Sequence, residues 1–184
     1  TGDGMTRKHA MAGAALALVM IMGGAANAAS ITPPSEAFAQ NPGSDYFLAD
    51  YTAYEAYLKT LASQSDRMKL VDFGKSEEGR TQWMAVVSSP ANLAKLDHYK
   101  SISKRLAKAE GLSKEEAAKL AAEGKAVVWI DAGLHATETV TSQGQIQVLY
   151  RMLTMNDPET LRMLDDVIIL FAHDNPDGME LVSD

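Results

Sequence analysis

A histidine and a glutamate stand three positions apart in residues 131–140, DAGLHATETV, where an apolar run gives way to a helix-like run. Imidazole nitrogens and carboxylate oxygens are ligands of catalytic zinc, which often takes two histidines and one glutamate from the protein. At this spacing on a turn that enters a helix, His135 and Glu138 can face one ion. Two alternatives stay open: Glu138 would also suit a helix amino terminus, and His135 would also suit an ordinary loop.

Two strands and a helix must position this pair. Short apolar runs at residues 126–131 and 167–172 predict strands buried on both faces, and the apolar spacing between them predicts a helix. Strand, helix and strand in this order predict an α/β fold in which the two strands are parallel. In such sheets the ligand site lies beyond the carboxyl ends of the strands. The pair follows the first strand, and His173 follows the second.

The remaining elements are predicted from periodicity and from end signals. Aromatic and leucine residues alternate at spacings of four and three between residues 47 and 61, which predicts a helix with Asp50 as its cap. Residues 68–73 and 82–88 are β-rich runs joined by a polar link, as in a hairpin. A capping box predicts a further helix over residues 113–124, which ends at a glycine.

The amino terminus has the pattern of a secretory signal. Residues 1–28 contain a basic start, an apolar run over residues 10–22 and a small-residue exit, which predicts cleavage after Ala28 and a secreted or periplasmic protein. An uncleaved anchor is the alternative, but the apolar run is shorter than the roughly 20 residues that a spanning helix needs. Residues 29–44, rich in proline, serine and glycine, are predicted to form an extended lead-in.

Composition limits the partners and the possible metal ligands. The chain has 184 residues, of which 46% are hydrophobic and 22% are charged, as in a folded domain. Its formal charge of −7 becomes −8 without residues 1–28, which carry two basic residues and one acidic residue, and this argues against nucleic acid as a partner. No later stretch predicts stable membrane association. Because there are no cysteines, a metal must use histidine, aspartate or glutamate.

Three blocks in order carry a resemblance to a known family. GKSEEGRTQWMAVVSS, then VVWIDAGLHATE, then NPDG after a further strand, resemble the zinc carboxypeptidases, the carboxypeptidase A-like metallopeptidases. The resemblance spans about residues 45–184. It implies an α/β fold with helices packed on a mixed, largely parallel sheet, incomplete at the carboxyl terminus. It also implies zinc as the cofactor, a peptide or protein as the substrate, and His135 and Glu138 as zinc ligands.

The resemblance also has departures and gaps. Residues 175–178 match a turn that lies near the active-site edge in the family, and their residue types predict a tight structural bend, with a substrate contact as the less favoured alternative. Thr137 stands where the digestive members have an arginine, which leaves specificity for a free carboxyl terminus open. The family's third ligand, its carboxylate-binding arginine and its general-base glutamate lie downstream of NPDG. We therefore expect no general base within this chain, and no activity from the chain alone.

The other candidates have ordinary alternatives. His173 is a less favoured choice for a third ligand, since a histidine at a strand end is usually hydrogen-bonded locally. Asp131 either orients His135 without itself touching the metal, or only ends its strand. His9 leaves with the signal peptide, and His98 is predicted to be solvated on a helix.

These observations lead to one main hypothesis and two alternatives. The main hypothesis is an exported zinc-dependent metallocarboxypeptidase that hydrolyses peptide bonds with zinc-activated water, present as an amino-terminal fragment. One alternative is a related zinc amidohydrolase acting on acyl-amino acids or cell-wall peptides, and the other is a non-catalytic exported binding domain. An incomplete sheet would leave an open edge that promotes aggregation, so poor solubility is expected.

Overall fold

The computed structural model describes Thr1 and residues 30–183, so the predicted signal peptide lies, apart from its first residue, outside the described part. No helix in that part combines the length and apolar character needed to cross a membrane. The described helices and strands, in chain order, are α1 (Pro34–Ala37), α2 (Tyr51–Gln64), β1 (Met68–Lys75), β2 (Thr81–Val87), α3 (Pro90–Leu93), α4 (Leu96–Lys108), α5 (Lys114–Glu123), β3 (Ala126–Ala132), α6 (Thr139–Thr154), α7 (Pro158–Asp166), β4 (Val167–His173) and α8 (Pro176–Ser183).

The four described strands form one mixed sheet in the order β1-β2-β4-β3. The predicted hairpin of β1 and β2 is confirmed, and β3 and β4 are parallel, as predicted. The α/β class and the mixed sheet are therefore confirmed. The expectation of a largely parallel sheet is wrong for the described strands, because β2 also pairs antiparallel with β4, which leaves one parallel pairing of three.

The strand β3 is not buried on both faces, which corrects the sequence prediction. It lies at one edge of the described sheet and pairs with β4 alone. Val127, Val128 and Trp129 keep 48%, 39% and 49% of their surface exposed. The apolar run correctly predicted a strand. Its burial, however, depends on the neighbouring strands and helices, which the hydrophobic pattern does not specify. The strand β4, which has a partner on each side, is buried as predicted over most of its length.

Helices cover both faces of the sheet. On one face, α2 and α6 pack their apolar side chains on Val87 and Phe171 in the main core. On the other face, α3 and α4 pack on Val86 and Ile168 in a smaller cluster. Adjacent residues of a strand point to opposite faces, so the central strands β2 and β4 contribute to both layers. Asp50 caps α2 by accepting a hydrogen bond from the Ala53 amide at 2.6 Å, as predicted.

The lead-in is more ordered than the predicted extended segment. Residues 34–37 form the short helix α1, and Phe38 packs edge-on against Tyr57 with ring centroids 5.1 Å apart. The Tyr57 hydroxyl donates a hydrogen bond to the Thr32 carbonyl at 2.9 Å. Proline and serine indicated a break in regular structure, but they carried no information about this docking onto α2.

Candidate functional site

The loop that carries the histidine and glutamate begins at the carboxyl end of β3. The strand ends at Ala132, residues 133–138 form the loop, and α6 begins at Thr139. The neighbouring strand β4 ends beside it, where the Asp174 amide donates a hydrogen bond to the Ala132 carbonyl at 3.0 Å. The two predicted polar loops therefore lie together at the carboxyl ends of β3 and β4, which is the position where α/β sheets bind ligands.

His135 and Glu138 form a close and accessible pair. The Nδ1 atom of His135 lies 2.9 Å from Oε1 of Glu138, and the side chains are 68% and 58% exposed. Glu138 is the residue that caps α6, yet its side chain makes no capping hydrogen bond. The helix-start alternative assigned the glutamate to the helix, but the carboxylate is directed to the imidazole instead.

The donor atoms of this pair fit a zinc ion. Two ligands each about 2.0 to 2.2 Å from a tetrahedral zinc lie about 3.4 Å apart, so the Nδ1 and Oε1 atoms need to separate by only about half an ångström to admit one. A neutral imidazole and a carboxylate are also the correct chemical types. Within Thr1 and residues 30–183, no third histidine, aspartate, glutamate or cysteine joins them in a metal-binding group.

His173 is not brought to this pair. Its side chain is fully buried, and Nε2 lies 3.0 Å from the hydroxyl oxygen of Ser142. Burial lowers the pKa of His173 to about 4, so the ring is neutral at physiological pH. The less favoured role as third ligand therefore finds no support, and the expected local hydrogen bond is present.

Asp131 does not orient His135 in this structure. Its Oδ2 atom accepts a hydrogen bond from the indole of Trp129 at 3.2 Å. The carboxyl group of Asp174 lies close to that of Asp131. Burial, followed by the charge of Asp131 and a hydrogen bond with it, raises the pKa of Asp174. The two aspartates form an acidic pair beside the loop.

The NPDG block is not the predicted tight bend. Its asparagine precedes α8, which begins at Pro176, and the Asn175 side chain accepts a hydrogen bond from the Gly178 amide at 2.8 Å. This arrangement caps a helix, and proline after the cap is typical of a helix start. The same Asn175 donates from Nδ2 to the Leu134 carbonyl at 3.3 Å, so the block also contacts the loop of the pair.

The aspartate of this block joins two of the three resemblance blocks, a contact that the sequence analysis missed. Its oxygens accept hydrogen bonds from the Ser76 hydroxyl at 2.7 Å, the Glu78 amide at 3.0 Å and the Arg80 guanidinium at 2.8 Å. Although burial acts in the opposite direction, the bonds from Ser76 and Arg80 lower the pKa of Asp177. No spacing rule could have found a contact between residues about a hundred positions apart.

The remaining candidates are exposed. Thr137 lies on the surface of the loop. His98 is on α4, where its Nε2 atom lies 3.0 Å from Oε1 of Glu123 and about half of each side chain is exposed. This is the solvated helical position that the sequence predicted.

One protein family matches most of this fold by sequence. The profile of the zinc carboxypeptidases, peptidase M14, matches residues 54–184, well over half of the chain. That range contains the pair, the NPDG block and the link with Arg80. No curated protein sequence matches significantly.

Solved structures agree on the fold. The structure of thrombin-activatable fibrinolysis inhibitor superposes with a TM-score of 0.55 at 13% identity, over 80% of this chain and 31% of that one. Carboxypeptidase A from Helicoverpa armigera superposes with a TM-score of 0.50 at 18% identity, over 79% of this chain and 31% of that one. The chain therefore spans about a third of the length of these two structures and matches part of the carboxypeptidase A fold.

Proposed function

Because the chain belongs to the zinc carboxypeptidase family, we propose that it is part of a zinc-dependent metallocarboxypeptidase in which His135 and Glu138 are two of the zinc ligands. The family is zinc-dependent, and this chain matches it as a partial domain. The observation that carries the assignment is the 2.9 Å approach of the imidazole and the carboxylate, both exposed at the sheet edge where ligands bind.

Zinc bound there would polarise a scissile carbonyl and lower the pKa of a water molecule toward about 7. The residues of this chain would hold and orient the ion. His135 would offer Nδ1, the ring nitrogen that faces the carboxylate, and Glu138 would offer Oε1. The loop would leave the outer side of the ion open, because both side chains are more than half exposed. Three further groups expected downstream of NPDG stay predictions: the third zinc ligand, the carboxylate-binding arginine and the general-base glutamate.

Export belongs to the same proposal. The basic start, apolar run and small-residue exit of residues 1–28 support secretion, with cleavage after Ala28. Amino-terminal sequencing of exported protein would find Ala29 first, and a chain that retained its first residues would contradict the cleavage.

The metal assignment is tested by zinc titration with a matched control. We expect isothermal titration of the purified protein to show zinc binding that His135→Ala weakens at least about tenfold, because one direct ligand is lost. His98→Ala is the control, since His98 has a glutamate at nearly the same distance on another surface. We expect it to leave the affinity unchanged.

Two results would oppose the assignment. Tight zinc binding that persists without His135 would place the metal elsewhere. No zinc binding by the unaltered protein, in the presence of normal folding, would favour the non-catalytic binding domain. In a longer form of the protein that includes the residues expected downstream of NPDG, hydrolysis of acyl-amino acids but not of peptides with a free carboxyl terminus would favour the amidohydrolase alternative over the peptidase.

A further inference from the structure

The loop between β3 and α6 is anchored at both ends and in the middle. The Thr141 hydroxyl accepts a hydrogen bond from the Gly133 amide at 3.4 Å and donates one to the Glu138 carbonyl at 2.9 Å, so it joins the first and last residues of the loop. The Asn175 amide holds the Leu134 carbonyl at 3.3 Å. The loop is therefore a defined shape and not a loose connection.

A buried histidine lies directly beneath this loop. Gly133 has a positive φ of 72°, and a Cβ atom there would overlap the ring of His173 and approach the Ser142 hydroxyl oxygen to 2.7 Å. The ring thus occupies the space that a side chain at position 133 would need. On its other side the ring contacts Tyr51 and Tyr54, with centroids 5.7 and 5.8 Å away.

The hydrogen bond of this histidine ties two elements together at the loop. Ser142 is in the first turn of α6, and His173 is the last residue of β4. Their bond, 3.0 Å between Nε2 and Oγ, therefore links the helix that follows the loop to the strand beside it. Both residues are buried, with 4% and 0% of their surface exposed, so water does not compete for this bond.

A purely apolar core would not need this arrangement. The Nδ1 atom of His173 is buried and has no hydrogen-bond partner among the described residues. A buried polar atom without a partner lowers the stability of the fold, whereas an aliphatic side chain would fill similar space without that cost. What the imidazole adds over an aliphatic side chain is the hydrogen bond of its Nε2 atom with Ser142.

We propose that His173 and Ser142 are positioning residues, whose buried hydrogen bond sets the shape of the loop at residues 133–138 and so holds His135 and Glu138 side by side. As a statement about metal binding, this rests on the proposed function. Neither residue touches the metal or the substrate. They act through Gly133, against which both are packed, and through the first turn of α6.

Ser142→Ala tests the proposal, with Ser88→Ala as the matched control. Ser88 is also fully buried, and its hydroxyl oxygen lies 2.9 and 2.7 Å from the carbonyl oxygens of Leu164 and Val167, away from the loop. Both substitutions remove one buried hydroxyl and both should lower the free energy of unfolding. If Ser142→Ala affects the loop more than Ser88→Ala does, the cause is therefore the location of the lost hydroxyl and not a general loss of stability.

The first readout needs no metal. The Glu138 amide donates to the His135 carbonyl at 3.0 Å within the loop, and the Gly79 amide donates to the Ser76 carbonyl at 3.0 Å in the β1–β2 link. We expect Ser142→Ala to speed hydrogen exchange at Glu138 about tenfold and to leave Gly79 unchanged. Ser88→Ala should change neither.

The second readout uses metal alone. We expect Ser142→Ala to weaken zinc binding about tenfold, as loss of a supporting hydrogen bond around a metal site typically does. Visible absorption of bound Co²⁺, which reports ligand geometry, should shift in this variant. Ser88→Ala should leave both properties as they are in the unaltered protein.

The outcomes separate the two proposals. Equal effects of the two substitutions on exchange and on metal would show that His173 and Ser142 are only core packing, and would overturn the positioning role. Faster exchange at Glu138 in Ser142→Ala, combined with no zinc binding by the unaltered protein, would support control of the loop while refuting the proposed function.

Discussion

Within the described residues, two exposed histidine–glutamate pairs have nearly the same separation. His135 and Glu138 are 2.9 Å apart on the loop after β3, and His98 and Glu123 are 3.0 Å apart between α4 and α5. Exposure is similar, and both pairs combine the same two donor types. Judged by distance and chemistry alone, neither pair is the better metal site.

The surroundings of the two pairs differ. The loop of the first pair rests on the buried His173 and Ser142 and is bonded to Thr141 and Asn175. The second pair joins α4 to α5, a helix in which no residue is buried. The loop of the first pair is therefore packed on buried polar side chains, while the second pair, like the Arg105–Glu116 salt bridge at 3.3 Å, joins the surfaces of two helices.

This contrast shows that a short motif becomes a candidate site through what lies beneath it. Metal binding is stronger when the donors keep their places without the metal, because ordering flexible side chains costs free energy. A pair on a loop that is hydrogen-bonded to the core meets this condition at a lower cost in free energy than a pair between two surface helices.

Glycine substitution should separate the two regions most strongly. Gly133→Ala places a Cβ against His173 and Ser142 at a positive φ of 72°, and we expect a loss of about 3 kcal/mol or more in the free energy of unfolding. Gly111→Ala, in the α4–α5 connection, has φ of 61° but no atom within 4 Å of the new Cβ. We expect that change to cost only about 1 kcal/mol, from backbone strain alone.

Urea unfolding of both variants measures these costs. Similar losses at the two positions would mean that the loop relaxes away from His173, and the difference in support would disappear.

The buried histidine should make stability depend on pH. The folded protein keeps His173 neutral down to about pH 4, whereas the unfolded chain protonates it below about 6.5, so the unfolded state binds more protons between these values. The free energy of unfolding should therefore fall by up to about 3 kcal/mol as pH drops from about 6.5 to about 4. Urea unfolding at several pH values measures it.

Two variants isolate this contribution. His173→Gln should flatten the slope in that range, while His98→Gln should keep it. Asp174, whose pKa is raised by burial and by Asp131, contributes with the opposite sign, so the comparison between variants is needed. An unchanged slope in His173→Gln would show that other groups cause the pH dependence.

The smallest effect should come from the pairs themselves without metal. Exposed polar and charged side-chain pairs contribute about 0 to 1 kcal/mol, so Glu138→Gln and Glu123→Gln should each change metal-free stability by less than about 1 kcal/mol. Adding zinc should separate them: it should raise the Tm of Glu123→Gln as in the unaltered protein, and raise that of Glu138→Gln less. Equal zinc responses would remove the distinction between the pairs.

Local patterns predicted a large part of the fold. The apolar spacing and Asp50 anticipated α2, the two β-rich runs anticipated the hairpin, and the order of strand, helix and strand anticipated the parallel pairing of β3 with β4. These features depend on neighbours within a few positions or on chain connectivity. They are therefore visible in the sequence.

Most of the failed predictions concerned which residues lie next to each other in the fold. The run in β3 looked buried, but its place at the edge of the described sheet exposes Val127 and Trp129. NPDG looked like a bend, yet Asn175 caps α8 while holding the loop. An asparagine followed by a proline was a usable helix-start signal, but nothing in the sequence connected Asp177 to Arg80.

By itself, the sequence determined which residues could do chemistry and roughly where they would stand. His135 and Glu138 had suitable types, a suitable spacing and a place after a strand, because strand and helix signals are local. Only the tertiary structure decided which of two similar pairs is supported. Ser142 and His173, 31 positions apart, meet because β4 pairs beside β3 and α6 packs over both. That meeting depends on long-range packing, which no short pattern encodes.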